Sequence, residues 1–407
     1  MPLRRLRFLL LAVAACGDQR VTAPAEASAF RRFIAIGTGL TMGEQSAGVV
    51  YESQVASWPS QLAARMDAPF RVPALRAPGC TPPLVAPLVL NRTLAGDAAA
   101  DAAGCSGRLG SDSLPANIVA MVGATAWDAL HTSPRSFVTQ AASLDQLRYP
   151  MILPAQQTQL QSMQAHDPTL VAVELGAGEV MRAATTGLVV LGTSYTQKTP
   201  WTLMPASVFT PVFDSIADSV AATGARVVYI GVPPLASLPA WRAGDALWQD
   251  RAALAAYGIN VATDCQGSGN LLNVAALLPP LAASARTAGT SRALNCADQP
   301  GVADFVLTAA DASLILQTTT ALNAAIKAAA AKRQAAYVDV PAYWSGPTGA
   351  PPFSAAGVLG SDTPFGVGTS LDGIQPSSAG QRRLADAVAA ALNATFKWAI
   401  PVTPAAP

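Results

Sequence analysis

Short apolar runs of strand length alternate with stretches of helical spacing along most of the chain. Phe33–Gly37 is the first such run, continuous and stopped by glycine, and it reads as a buried strand. Helical spacing follows over Ser53–Met66, and Phe70–Val72 is long enough for a short strand. Asn117–Val122 is the next strand candidate, with a helix expected from Ala124. Ala155–Ala165 has the spacing of a polar-faced helix and leads into the apolar run Leu170–Leu175. Over Ser207–Ala222, residues Val208, Val212, Phe213, Ile216 and Val220 form one apolar stripe, and Gly224 stops it. Arg226–Gly231 is a strand ended by Pro233 and Pro234. Thr308 with Asp311 has the spacing of a capping box and opens a helix to about Gln334. Tyr337–Val340 is a last strand, and Ser377–Phe396 a last helix. Alternation of this kind predicts a parallel α/β sheet with helices on both faces.

The irregular stretches lie near residues 74–114, 186–205 and 258–301, with a Gly/Pro-rich loop over 344–370. They read as insertions in one domain spanning 30–400. No internal repeat is visible. The chain has 407 residues, is 51% hydrophobic and 13% charged, and so has ample apolar material for a large core. Its formal net charge of +1 and the lack of a basic stripe argue against nucleic acid as a partner.

The N-terminus has a different composition. Arg4, Arg5 and Arg7 precede the apolar run Phe8–Ala15, which is too short for the ~20 residues that span a bilayer. It fits the h-region of a secretory signal. Val13-Ala14-Ala15-Cys16 resembles a bacterial lipobox. The expectation is a signal peptide over 1–15, a lipidated Cys16, and a tether over 16–29, placing the protein on a bacterial cell envelope. An ordinary secretory signal cut nearby is the alternative. Setting Cys16 aside leaves Cys80, Cys105, Cys265 and Cys296, an even number in an exported chain. Three pairings are open. Cys80–Cys105 with Cys265–Cys296 is preferred, because it closes the shortest loops within stretches rich in Gly, Ala and Pro. Zinc has no CxxC or histidine cluster to hold it, and nothing in the chain calls for a cofactor.

The chemistry turns on Ala35–Gly43, a glycine-rich turn after the first strand. A dinucleotide site would need a helix N-terminus facing the pyrophosphate and an acid ~20 positions on. The glycines here run GxGxxxG and the next strand candidate brings no acid, so this reading fits poorly. A second reading accounts for more of the chain. Gly37–Gly43 resembles the first block of the SGNH (GDSL) hydrolase family, Asn117–Thr125 the second, Val173–Glu179 the third and Leu371–Ser377 the last. The order and spacing of the four blocks also fit. The resemblance implies a three-layer α/β/α sandwich with a flavodoxin-like sheet and a site at the carboxyl ends of the strands.

The departures concern function. Gly39 stands at the family's serine, Gly178 at its oxyanion asparagine and Gln375 at its histidine, whereas Gly123 and Asp372 match. Glycine carries no nucleophile, and an amide is no general base at neutral pH. Losing one oxyanion donor alone costs ~10²–10³ in rate. Thr38, Thr41 and Ser46 are the substitute hydroxyls nearby. The two histidines, His131 and His166, lie outside the last block, where capping or dipole contacts account for them. Glu179 with Asp372 could form a carboxylate pair that activates water, or each could simply brace a loop. Glu174 reads as a strand-end residue. Trp201, Trp241 and Trp344 lie in or near loops that could line a glycan surface, and Asp386, Arg382 and Arg383 look solvated. The expectation is a degenerate hydrolase that binds a small molecule, glycan or protein in a pocket widened by the lost side chains. The alternatives are an esterase or carbohydrate-ester hydrolase with substitute residues, and a cofactor-binding α/β protein.

Overall fold

The computed structural model describes residues 24–97, 105–110, 114–137, 144–340 and 351–403. Cys16, the expected signal peptide and Trp344 lie outside them. Five parallel strands form the central sheet: β1 (Phe33–Gly37), β2 (Ile118–Ala120), β3 (Leu170–Glu174), β4 (Arg226–Ile230) and β5 (Ala336–Val338). Their spatial order is β5-β4-β3-β1-β2. This is the flavodoxin-like 2-1-3-4-5 order, whose direction reverses between β1 and β3. Register is set by pairs such as Ile36 with Val119 and Gly37 with Glu174.

Strand periodicity divides the core into two. Ile34, Ile36, Val171, Val173, Val227 and Tyr229 point to one face, where they pack with Leu160, Phe209, Phe213 and Ile326. Phe33, Ala35, Leu170, Ala172, Val228 and Ile230 point to the other, against Trp58, Leu62, Leu384 and Val388. Successive side chains alternate in a strand, so both layers of helices are specified by adjacent residues. The expected α/β/α sandwich is the fold observed.

Local differences have local causes. Ser53–Met66 is two helices, Tyr51–Val55 and Trp58–Arg65, broken at Ser57 where Pro59 enters the second helix's first turn. Ala155–Ala165 narrows to Gln159–Gln164, because Thr158 caps it through the N–H of Gln161. Phe70–Val72 forms no strand. The capping box at Thr308 and Asp311 does open Ala309–Lys332. Pro24–Phe30, at the end of the stretch read as tether, is a helix. The 258–301 excursion belongs to a larger unit with its own apolar core of Leu247, Leu272, Leu278, Val358 and Phe365. Both preferred disulfides form, Cys80–Cys105 and Cys265–Cys296. Among the described residues, the one His/Cys/Asp/Glu group compact enough for a metal is Asp264 with that second pair, whose sulfurs the disulfide removes as thiolate ligands. No described helix is long and apolar enough to cross a membrane.

Candidate functional site

The switch between β1 and β3 brings the glycine turn to the carboxyl end of β3. Glu174, fully buried at that end, reaches into the turn. Its Oε2 accepts the N–H of Thr38 at 2.9 Å and the hydroxyls of Thr38 and Thr41 at 2.8 and 3.1 Å. Burial raises its carboxyl to about 7, and the hydrogen bonds from Thr38 and Thr41 oppose that rise. Thr38 and Thr41 are therefore committed to Glu174. The N–H groups of Thr38 and Thr41 are also spent on it, so two donors of this turn are not offered to a phosphate.

Gly39 follows directly. A Cβ built there would lie 1.9 Å from Oε2 of Glu44, so the space a side chain at position 39 would take is filled by a carboxylate of the same loop. Gln375 Nε2 donates to that same Oε2 at 3.0 Å. Glu44 keeps part of its residue surface open to solvent, but its carboxyl is packed among neighbours. Burial first and Asp372 second raise it to about 7, while the Arg148 guanidinium pulls the other way. Arg148 is itself lowered by burial, and its Nε has no hydrogen-bond partner.

Asp372 closes the arrangement from below. Oδ1 accepts the N–H groups of Ile374 and Gln375, both at 2.8 Å, and the Ser370 hydroxyl at 3.1 Å. Oδ2 accepts the Ala47 N–H at 2.6 Å. Its carboxyl is raised by burial, against the pull of these donors. Ser46 belongs to the same brace: its N–H donates to Ser370 Oγ, and its hydroxyl accepts Leu371 N–H. Gly39, Glu44, Gln375 and Asp372 thus come together, with Asp372 in the bracing role.

The other half of the expected site is arranged differently. A Cβ on Gly178 would lie 2.1 Å from the Ala124 carbonyl oxygen, so helix Gly178–Thr186 starts in backbone contact with the loop after β2. The expected widening does not occur at Gly39 or Gly178, because Glu44 and the Ala124–Thr125 backbone occupy those places. Gly123 is open, at φ +76° with nothing near a built Cβ. It borders a cavity of about 240 Å³ lined also by Asp128, Thr132, Asp145 and Tyr149. Asp145 is raised by burial.

Glu179 is fully buried, and its Oε1 accepts the Ala126 N–H and the Tyr195 hydroxyl, both at 2.7 Å. Burial raises it to about 7. It ties the 186–205 insertion to the loop after β2, and its partners there are Ala126 and Tyr195, not Asp372. Tyr195 stacks on Trp127 at 5.8 Å and meets Trp201 edge-on. His131 packs on Trp127 at 3.8 Å, and His166 Nδ1 pairs with the Ser162 carbonyl at 2.7 Å. Trp241 is not a surface residue: it is buried, with Nε1 donating to the Ala184 carbonyl. Nor is Asp386 solvated, since it pairs with Arg65 at 2.7 Å.

Among the described residues, the hydroxyls next to Gly39 are all engaged, and Gln375 cannot take a proton. The carboxyl that fills the space beside Gly39 is Glu44, raised by burial into the range of a base near neutral pH. Sequence reasoning missed Glu44 and Arg148. An acid directly after the glycine-rich turn was the available signal for the first. The second sits on the Leu144–Ile152 helix, far from every block.

No family model matches the chain, and no curated protein matches it. Solved structures with a similar course include a protein described as a GDSL-like lipase from Parabacteroides merdae, 8% identical, covering 90% of this chain and 96% of its own at TM-score 0.37. An extracellular lipase from Streptomyces rimosus is 11% identical, covering 90% and 99%, at TM-score 0.35. Phospholipase A1 from Streptomyces albidoflavus is 14% identical, covering 89% and 98%, at TM-score 0.35. The fold assignment rests on the strand order and two-faced core, and the site on its own atoms.

Proposed function

We propose that this chain is a divergent SGNH (GDSL) type protein, exported as an envelope lipoprotein, that has given up serine-hydrolase chemistry and works by binding. The observation that carries this reading is the Glu44 carboxylate in the place of the absent serine side chain, held there by the Gln375 amide. The triad positions now form a static brace: a carboxylate, an amide and an aspartate that fixes two loops. The ligand site is the cavity beside Gly123, whose lining of carboxylates and hydroxyls suits a polar ligand rich in hydrogen-bond donors, such as a glycan.

A second reading has one observation in its favour. A carboxyl raised to about 7 is in the range of a general base at neutral pH, so Glu44 could activate water directly. Hydrolysis of an activated short-chain ester by residues 24–407 separates the two. No rate above background supports the binding protein. A rate that Glu44→Gln abolishes, with folding intact, supports the water-activating enzyme and refutes the first reading.

A further inference from the structure

Two adjoining grooves lie beside the 51–74 segment, and one of them reaches the amino ends of β1 and β2. One, of about 580 Å³, is lined mainly by apolar side chains, including Tyr51, Val55, Ala64, Ala68 and Phe70. Tyr51 and Val55 are exposed at 38% and 44%. The other, of about 400 Å³, is lined by Arg31, Arg32, Asn117 and His166 among others, with no carboxylate in its lining. Phe70 and Arg71 line both, so the two are continuous. Phe70 is fixed by stacking on Phe33 at 5.1 Å. His166 donates or accepts through Nδ1 to the Ser162 carbonyl, and its Nε2 has no hydrogen-bond partner.

An apolar trough running into a cationic one has the shape and polarity of a single amphiphile with an anionic head. Each part alone is within the range of small-molecule sites, roughly 300–1,000 Å³. Arginine and histidine side chains favour phosphate oxygens, and basic groups beside an emerging chain favour anionic lipid. Pro24–Phe30 feeds into β1 beside the basic groove. We propose that the paired groove binds one anionic lipid molecule. The headgroup phosphate lies among Arg31, Arg32 and His166, and the acyl chain lies against Tyr51, Val55, Ala64 and Phe70.

The test uses residues 24–407, which retain every described element, titrated calorimetrically with lauroyl-lysophosphatidylglycerol below its micelle concentration. One molecule should bind. The matching lysophosphatidylcholine should bind at least about tenfold more weakly, because its phosphate is accompanied by a choline cation that the arginines repel. Arg31→Glu with Arg32→Glu, and separately Val55→Asp, should each weaken binding about tenfold or more, with an unchanged near-ultraviolet spectrum. Lys198→Glu, on the distant insertion, should leave it unchanged. Inorganic phosphate at equal concentration should not displace the lipid. Absence of binding, equal affinity for the two lipids, or insensitivity to Val55→Asp overturns the proposal. Displacement by phosphate also overturns it, by reducing the site to a simple anion pocket.

Discussion

Substituting Gly178 with alanine should destabilise the protein by about 3 kcal/mol, although alanine is the better helix former. Gly178 opens the helix Gly178–Thr186, and in a free helix the change would gain up to about 1 kcal/mol. Here the new methyl would lie 2.1 Å from the Ala124 oxygen, 2.6 Å from its carbonyl carbon and 3.0 Å from Thr125 N. Ordinary contact needs ~3.5 Å, so backbone must separate by more than about 1 Å. That backbone is pinned: Ala124 N–H bonds the Met121 carbonyl, Thr125 bonds Asp128, and Ala126 N–H bonds buried Glu179. Overpacking against such a segment costs ~1–3 kcal/mol or more. Pulling Ala126 off Glu179 strands a buried donor, at ~1–3 kcal/mol. The steric cost therefore exceeds the propensity gain. Gly39→Ala provides the contrast, because its Cβ meets only the flexible Glu44 side chain, with the severe contact at its end, 1.9 Å from Oε2. Glu44 can rotate away and lose one hydrogen bond, at about 1 kcal/mol. Urea unfolding followed by tryptophan fluorescence measures both. A Gly178→Ala protein as stable as the parent would refute the close-contact reasoning.

The same geometry gives further expectations. Gly39→Ser with Gln375→His should remain inactive on activated esters while Glu44 occupies the site, so any gain should require Glu44→Ala as well; equal activity with and without Glu44→Ala would contradict the filled-site description. Glu44, Glu174 and Glu179 are each raised from 4.5 to about 7, so the folded state holds protons that the unfolded chain has released. Stability should be fully present below pH 4.5 for these groups and fall as pH rises towards 7. Each contributes at most about 3 kcal/mol, and Glu174→Gln should flatten the slope in pH-dependent urea titrations. Asp372→Ala removes the acceptor of three backbone N–H groups and one hydroxyl, and should lower stability by about 3 kcal/mol or more, with faster amide exchange at Ala47, Ile374 and Gln375. Losing the Cys265–Cys296 bridge by double serine substitution should cost ~2–4 kcal/mol, read by the same unfolding assay.

Much of the architecture was legible because it is written in local periodicity. Alternating apolar residues in β1, β3 and β4 specify both helical layers at once, and caps such as Thr308 and Ser377 act within one turn. The pairing of neighbouring cysteines was legible for the same reason, since their loops close over short distances. The sequence by itself also determined that position 39 carries no side chain and position 375 an amide. What stands in those places was decided only by tertiary contact. Glu44 reaches Gly39 because the loop turns back on itself, and it is held by Gln375 from 331 positions away. Gly178 is explained by a carbonyl on another loop, and Trp241 is buried and Asp386 paired by partners that no local pattern announces. The physical reason is that patterning reports which face of an element is buried. It does not report which atom of a distant segment arrives against it.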